Sequence, residues 1–295
     1  MKSIFSEFLK NFYNFAQDIK IVHSVFSLPF AACAILISGT ESLNLSKVAW
    51  IFLAVISARS FAMGMNRYLD RDIDSLNPRT QQRKIPSGKL SPRSSLACSL
   101  LFGLIFMVAA FQLNTLSGWC SFIVLAFLGS YPYLKRFSWF AHGYLGLCLG
   151  MVPPAVGIAL STGPSSLFCL SILGLGVALW VAGFDMLYAL QDLDFDRTQG
   201  LQSVPVRFGV KKSLYISRIC FLGMLVCLAI VGVQQNLGAL FYLGLAFVAL
   251  ILTYEHWLVR DSRDGYVSRH IGFAFFNANG LVSVIFYLFT QLSYL

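Results

Sequence analysis

Charge is what this chain has least of. Only 12% of its 295 residues are Asp, Glu, Lys or Arg, while 57% are hydrophobic and the mean hydropathy is +0.70. A soluble domain carries about 25% charged residues. So much apolar surface cannot be hidden in one aqueous core, which excludes a soluble enzyme and predicts an integral membrane protein. Cysteine chemistry is missing too. The seven cysteines (33, 98, 120, 148, 169, 220 and 227) lie in apolar runs and none forms a C-x-x-C pair. They read as small buried hydrophobes. The four histidines, His23, His142, His256 and His270, are scattered, with no H-E-x-x-H pattern, and read as structural or interfacial. No cleavable signal is evident at the N-terminus. Nor does the net charge of +9 imply a nucleic-acid partner. In membrane proteins basic residues crowd the cytoplasmic loops, and that alone produces such an excess.

What is present is a series of apolar runs, each near the roughly 20 residues that cross a bilayer. Nine are expected, at 21–39, 47–66, 94–113, 118–134, 142–161, 166–190, 213–234, 237–258 and 271–292. Residues 1–20, with Phe5, Phe8, Leu9, Phe12, Phe15 and Ile19 at helical spacing among Lys2, Lys10 and Lys20, read as an amphipathic helix in the membrane interface. The expectation is a single domain over 1–295, all-α, embedded in a lipid bilayer. Of the 22 Lys and Arg, all but Lys47 and Arg59 fall on the side of the N-terminus. That bias places the N-terminus and the four long loops in the cytoplasm and the C-terminus outside, as in a multi-pass plasma (inner) membrane protein.

The few acids are not scattered. Asn66, Asp70 and Asp74 recur at i, i+4 and i+8. Asp185, Tyr188, Asp192 and Asp196 recur at steps of three, four and four. On a helix each set stays on one face, with Asp72 and Asp194 turned away toward water. The two stripes lie at the cytoplasmic ends of the second and sixth spans, each followed by a Pro/Gly turn. They suggest a parallel repeat of two four-helix units plus one further helix. Carboxylates at the end of a span are costly and imply function. Crowded together they need a cation, and hard oxygen ligands suit Mg²⁺, which takes one or two carboxylates and fills its octahedron with water and phosphate oxygens. Arg79, Arg83 and Lys135 offer an opposite pole. Metal and cations beside an apolar cavity are what a lipid diphosphate requires. The rival reading is a cation transporter. It would place ionisable groups at mid-membrane or on both sides, whereas the outer loops hold only Glu41 and Lys47.

Over essentially its whole length the chain resembles the UbiA superfamily of intramembrane prenyltransferases. The family pattern N-D-x-x-D-x-x-x-D is matched by Asn66, Asp70 and Asp74, followed by Asn77-Pro78-Arg79-Thr80 and Arg83. The pattern D-x-x-Y-x-x-x-D-x-x-x-D is matched by Asp185, Tyr188, Asp192 and Asp196, and the run Tyr131-Pro132-Tyr133-Leu134-Lys135-Arg136 resembles a family segment. Arg67 departs from the pattern, which has Asp there. The wording from Arg59 to Arg67, with Asn77-Pro78-Arg79-Thr80 and Phe184-Asp185, Asp196-Arg197, Gly200-Leu201 and Ser203-Val204-Pro205, looks like 4-hydroxybenzoate polyprenyltransferases and leans to the MqnP-like branch, which prenylates dihydroxynaphthoate on the way to menaquinone.

The resemblance implies Mg²⁺ held by Asn66, Asp70, Asp74, Asp192 and Asp196, with Arg79, Arg83 and Lys135 on the polyprenyl diphosphate. It also implies Asp185 and Tyr188 beside an aromatic acceptor, and Tyr131 in the substrate site. Other acceptors in the superfamily are haem, a chlorophyllide or a phosphoglycerol. Arg59, two turns deeper than Asn66 on nearly the same face, is expected to bind an acceptor carboxylate. Asn277 and Asn279 read as interhelical hydrogen-bonding residues, and the Gly143–Gly157 stretch as helix packing.

Overall fold

The computed structural model describes residues 2–21, 27–39, 44–260 and 269–295, and among these there are helices and turns and no strand. The helices are α1 (Lys2–Asp18), α2 (Leu28–Ser38), α3 (Leu45–Leu69), α4 (Arg71–Leu76), α5 (Pro92–Leu113), α6 (Thr115–Leu134) and α7 (Ala141–Gly150). They continue with α8 (Val152–Ala159), α9 (Pro164–Ala189), α10 (Leu193–Thr198), α11 (Val204–Gln234), α12 (Ala239–Arg260) and α13 (Arg269–Leu292).

Local chemistry sets the boundaries. Ser91 and Ser203 sit in extended conformation before α5 and α11 and accept the backbone N–H groups of Ser94 and Val206, with Pro92 and Pro205 in the first turns. Side-chain oxygens there satisfy donors that the helix start leaves open, and proline gives up an N–H that has no helical partner. Gly39 ends α2 at φ 58, a left-handed position open to glycine.

Seven helical stretches among the described residues are long and apolar enough to cross a membrane: 45–69, 92–113, 115–134, 141–159, 164–198, 204–234 and 239–259. The chain is therefore a multi-pass helical membrane protein. The first expected span, 21–39, appears as the 11-residue helix α2, with 22–26 outside the described residues. The ninth coincides with the 24 residues of α13.

The chain groups into two compact units, one of residues 1–24 and 45–133, the other of 25–44 and 134–295. In the first, α3 packs along α5, with α1 against both. Phe12 and Phe15 of α1 stack on Phe102 of α5 at 6.1 and 5.8 Å, and Asn14 donates to the Lys89 carbonyl at 2.9 Å. Much of the apolar stripe on α1 is thus spent on its own protein, leaving Leu9 and Tyr13 exposed.

The second unit is built on α9, which packs against α11, α7, α8 and α2. Its apolar centre holds Trp180, Phe30 and Phe286, with ring centroids 5.3 Å (Phe30–Trp180) and 5.7 Å (Phe30–Phe286) apart. Along α7 and α9 the helices approach until only glycine fits. A Cβ on Gly150 would meet the Gly174 carbonyl oxygen, one on Gly174 would meet that of Gly150, and one on Gly146 would meet that of Ala178. The glycine-rich stretch is helix packing, as its composition suggests.

Candidate functional site

Both acidic motifs sit where a long helix breaks and restarts. α3 ends at Leu69 and α4 begins at Arg71, with Asp70 between them at φ −92, ψ 3. α9 ends at Ala189, a 3₁₀ turn covers Leu190–Asp192, and Asp192 stands at φ −105, ψ 6 before α10. The expected spans end at 66 and 190, with the rest of each stripe in the loop that follows. The structure carries α3 three residues further and folds the start of each loop into a short helix after the break. Asp70 and Asp192, equivalent in the two motifs, both occupy the sparsely populated bridge region in which active-site residues recur. The path stays helical enough that Asp70 N–H still reaches the Asn66 carbonyl at 3.0 Å and Asp74 N–H the Asp70 carbonyl at 2.8 Å.

In the first unit, Asp70 and Asp74 are 1% and 4% exposed, and each is met by donors. Asn66 Nδ2 donates to Asp70 Oδ2 at 2.9 Å. Arg83 Nη1 donates to both oxygens of Asp74, at 2.7 and 2.6 Å. Arg83, expected to form a pole opposite the acids, is thus paired with Asp74, while Arg79 is exposed beside Asn77, whose Oδ1 accepts its backbone N–H at 2.9 Å. Asp72 is fully in the open, as expected, with an 83% exposed side chain.

Arg67 is buried. Its Nη1 donates to Asn66 Oδ1 at 3.1 Å and its Nε to the Asp18 carbonyl at 3.3 Å. The residue that departs from the family pattern thus braces the first motif residue against the end of α1. Lys20 was not among the expected site residues, yet its amine is pushed below the ordinary lysine value, first by burial and then by Arg67, Arg83 and Arg79. Lys20 as a whole is exposed, so the repulsion from its neighbours is the part that bears on function. Lys20 and Arg79, exposed, and Arg83, half-buried, make the first motif a positive surface for a polyanion. Its one sequence signal was the placement of Lys20 at the end of an amphipathic run.

Higher on α3, Arg59 is half-buried and its Nη1 is buried with no hydrogen-bond partner. Tyr131, also expected in the substrate site, is half-buried in the same unit.

In the second unit, Asp185, Tyr188, Asp192 and Asp196 are half-buried and Asp194 is exposed, which keeps the expected division of faces. Lys135 is tied to the loop after the second motif, its carbonyl accepting Gln202 N–H at 2.6 Å. Asp185 is met by a residue that the sequence reading set aside. His142 Nδ1 lies 2.7 Å from Asp185 Oδ2. No spacing rule links two residues 43 apart; the close α7–α9 seam does. By contrast His256 keeps the structural role expected, its Nε2 3.3 Å from the Leu214 carbonyl and its ring edge-on to Phe221. His23 and the side chain of His270 lie outside the described residues.

Among the described residues, neither unit by itself brings three His, Cys, Asp or Glu side chains together. The donors are hard oxygens, two carboxylates one turn apart in each motif. This matches Mg²⁺, which needs only one or two carboxylates with phosphate and water. The chemistry of the residues fits that ion.

Comparison with known proteins adds the decisive observation. Residues 27–281 match the UbiA prenyltransferase family. The chain belongs to it. This UbiA-family chain is 35% identical over 231 residues to 4-hydroxybenzoate octaprenyltransferase of Pseudomonas syringae pv. syringae (strain B728a), covering 77% of this chain and 76% of that protein. Its fold is similar to a UbiA homologue from Aeropyrum pernix K1, solved in the apo form, with TM-score 0.83 and 31% identity over 93% of this chain and 99% of that one. A UbiA homologue from Archaeoglobus fulgidus solved with DMAPP and Mg²⁺ shares the fold at TM-score 0.67 and 16% identity, covering 95% and 98%.

Proposed function

We propose that this UbiA-family protein transfers a polyprenyl group from its diphosphate to a ring carbon of an aromatic hydroxy-acid. The acceptor is 4-hydroxybenzoate or dihydroxynaphthoate, for ubiquinone or menaquinone. Arg59 carries the acceptor assignment. A guanidinium inside a span costs several kcal/mol unless an anion meets it, and its Nη1 has no partner of its own. A carboxylate on the acceptor supplies that anion and accepts the guanidinium fork.

On this reading Mg²⁺, held by Asn66, Asp70 and Asp74 of the first motif and Asp192 and Asp196 of the second, supplies positive charge to the departing diphosphate. The rest falls to the chain. Lys20, Arg79, Arg83 and Lys135 bind the diphosphate and stabilise its growing charge, which is usually the largest contribution to such a reaction. Arg83 pairs with Asp74 until the diphosphate competes for it. Arg59 and Tyr131 place the acceptor, and Tyr188 and Asp185 stand where its proton leaves. Apolar walls keep water from the allylic cation. The same reading sets the protein in the plasma (inner) membrane with nine spans, the motif loops cytoplasmic and the C-terminus outside.

The test is a membrane fraction offered 4-hydroxybenzoate and dihydroxynaphthoate side by side with one polyprenyl diphosphate. Prenylation of one supports the reading and names the acceptor. Product from neither sinks it. The curated relative's name favours the benzoate, whereas the residues around Asn66 favour the naphthoate, so the outcome decides between two supported acceptors.

A further inference from the structure

Buried histidines normally spend both ring nitrogens, or lean on a backbone carbonyl. His142 does neither. Its side chain is 6% exposed, its Nδ1 meets Asp185 Oδ2 at 2.7 Å, and its Nε2 is buried with no partner. An N–H at Nε2 would be an orphaned buried donor, whereas a lone pair there costs less, so the proton belongs on Nδ1. The whole hydrogen-bonding capacity of the ring is then directed at one carboxylate oxygen. The other end of the pair is different. The Asp185 side chain keeps 27% of its surface open, and among the described residues it has no further hydrogen bond beyond His142.

The pair is also held rigidly. Gly150 against Gly174 and Gly146 against Ala178 lock α7 to α9 at backbone contact. One turn further along the same seam stand His142 and Asp185. Asp185 begins the motif that continues through Tyr188 and Asp192.

We infer that His142 is a positioning residue: its Nδ1–H fixes Oδ2 of Asp185 and leaves Oδ1 to take the proton that the acceptor ring loses. This deepens the function proposed above and rests on it. When the prenyl carbon leaves its diphosphate, the bonding pair goes with the diphosphate oxygen. A π pair of the ring then forms the new C–C bond. The substituted ring carbon still carries a hydrogen, and its C–H pair returns to the ring as the proton passes to Oδ1. No oxidant or further reactant is needed. A carboxylate free to rotate would meet that hydrogen only part of the time, and a misplacement of about 1 Å can cost on the order of 100-fold.

The test compares His142→Phe, which keeps a ring and removes the donor, with His142→Gln, which keeps an N–H within reach. His142→Met replaces the first if the ring is not tolerated, and thermal melting in detergent checks folding. Turnover is measured with ordinary and ring-deuterated acceptor. Expected is a fall in kcat of roughly 10- to 100-fold for His142→Phe, with the KM of the prenyl diphosphate unchanged. A ring-deuterium isotope effect should appear that wild type lacks, and His142→Gln should restore most of both. An isotope effect unchanged in a folded donor-less variant overturns the inference, as does an equal loss in the Phe and Gln variants. If wild type prenylates neither acceptor, the function proposed above fails and this inference with it; product from wild type with unaltered variants overturns this inference alone.

Discussion

Asp70 and Asp74 are nearly sealed from solvent yet each is met by a donor, which decides how their substitutions should act. Removing one leaves the fold its apolar seams but takes a fixed charge from the site. Asp70→Ala or Asp192→Ala should lower turnover by roughly 10²- to 10³-fold, the loss expected for one preorganised electrostatic group, with membrane insertion retained. Chelator should silence wild type and Mg²⁺ restore it; full activity in EDTA would refute the metal role. Arg59→Lys keeps the charge and loses the fork, so the acceptor KM should rise far more than that of the prenyl diphosphate. Equal rises would place Arg59 with the phosphate-binding cations instead. Glu255 in α12 gives a stability prediction. It is 0% exposed and among the described residues both its oxygens lack partners. Replacing it with Met removes two unsatisfied polar atoms at similar shape and should stabilise by about 1–3 kcal/mol, read as a raised melting temperature in detergent; a lowered one would mean the carboxyl has a role that its surroundings do not show.

At the scale of elements, the sequence made the acidic stripes and their outward-facing Asp72 and Asp194 legible because helical periodicity alone sorts faces. It ended the spans at 66 and 190 but could not reveal that the chain turns at Asp70 and Asp192 and restarts as α4 and α10. Neither residue is Gly or Pro, and nothing local forbids an unbroken helix. The His142–Asp185 pair was hidden for a related reason: the seam that creates it is a run of glycines, which composition shows only as packing. Arg67 was visible as a departure from the pattern, but its bond to Asn66 depends on where α1 ends. The seam itself can be tested. Gly174→Ala puts a Cβ against the Gly150 carbonyl, and neither backbone can yield without moving α7 from α9. A cost of about 1–3 kcal/mol is expected. If the helices part, turnover should fall further than the melting temperature alone explains, because His142 and Asp185 ride on the two sides. A Gly174→Ala protein of wild-type stability would show that the helices do not need this contact.

For the whole molecule the open quantity is how many times the chain crosses the bilayer. Among the described residues seven stretches qualify by length and hydropathy. α2, of 11 residues, and α13, of 24, stand at either end of that set. Seven and nine crossings agree about everything between them. Both place Ser75 and Gln199 on one side and Gly163 on the other. They disagree at the ends. With nine crossings residue 10 lies on the side of Ser75 and residue 295 opposite; with seven, both assignments reverse. We propose nine, and the bias of Lys and Arg supports the crossing by α2, since without it Lys2, Lys10 and Lys20 would face outward against the rule that the loops obey. The natural cysteines give a quiet background, being buried or half-buried. Single cysteines at the exposed positions Lys10, Ser75, Gln199, Gly163 and Leu295 can therefore be probed with an impermeant maleimide on intact cells and on inverted vesicles. Lys10→Cys, Ser75→Cys and Gln199→Cys should react only in inverted vesicles, and Gly163→Cys and Leu295→Cys only on cells. Labelling of Lys10→Cys from outside, with Leu295→Cys reacting from the cytoplasm, would reduce the protein to seven crossings and remove α2 and α13 from the bilayer.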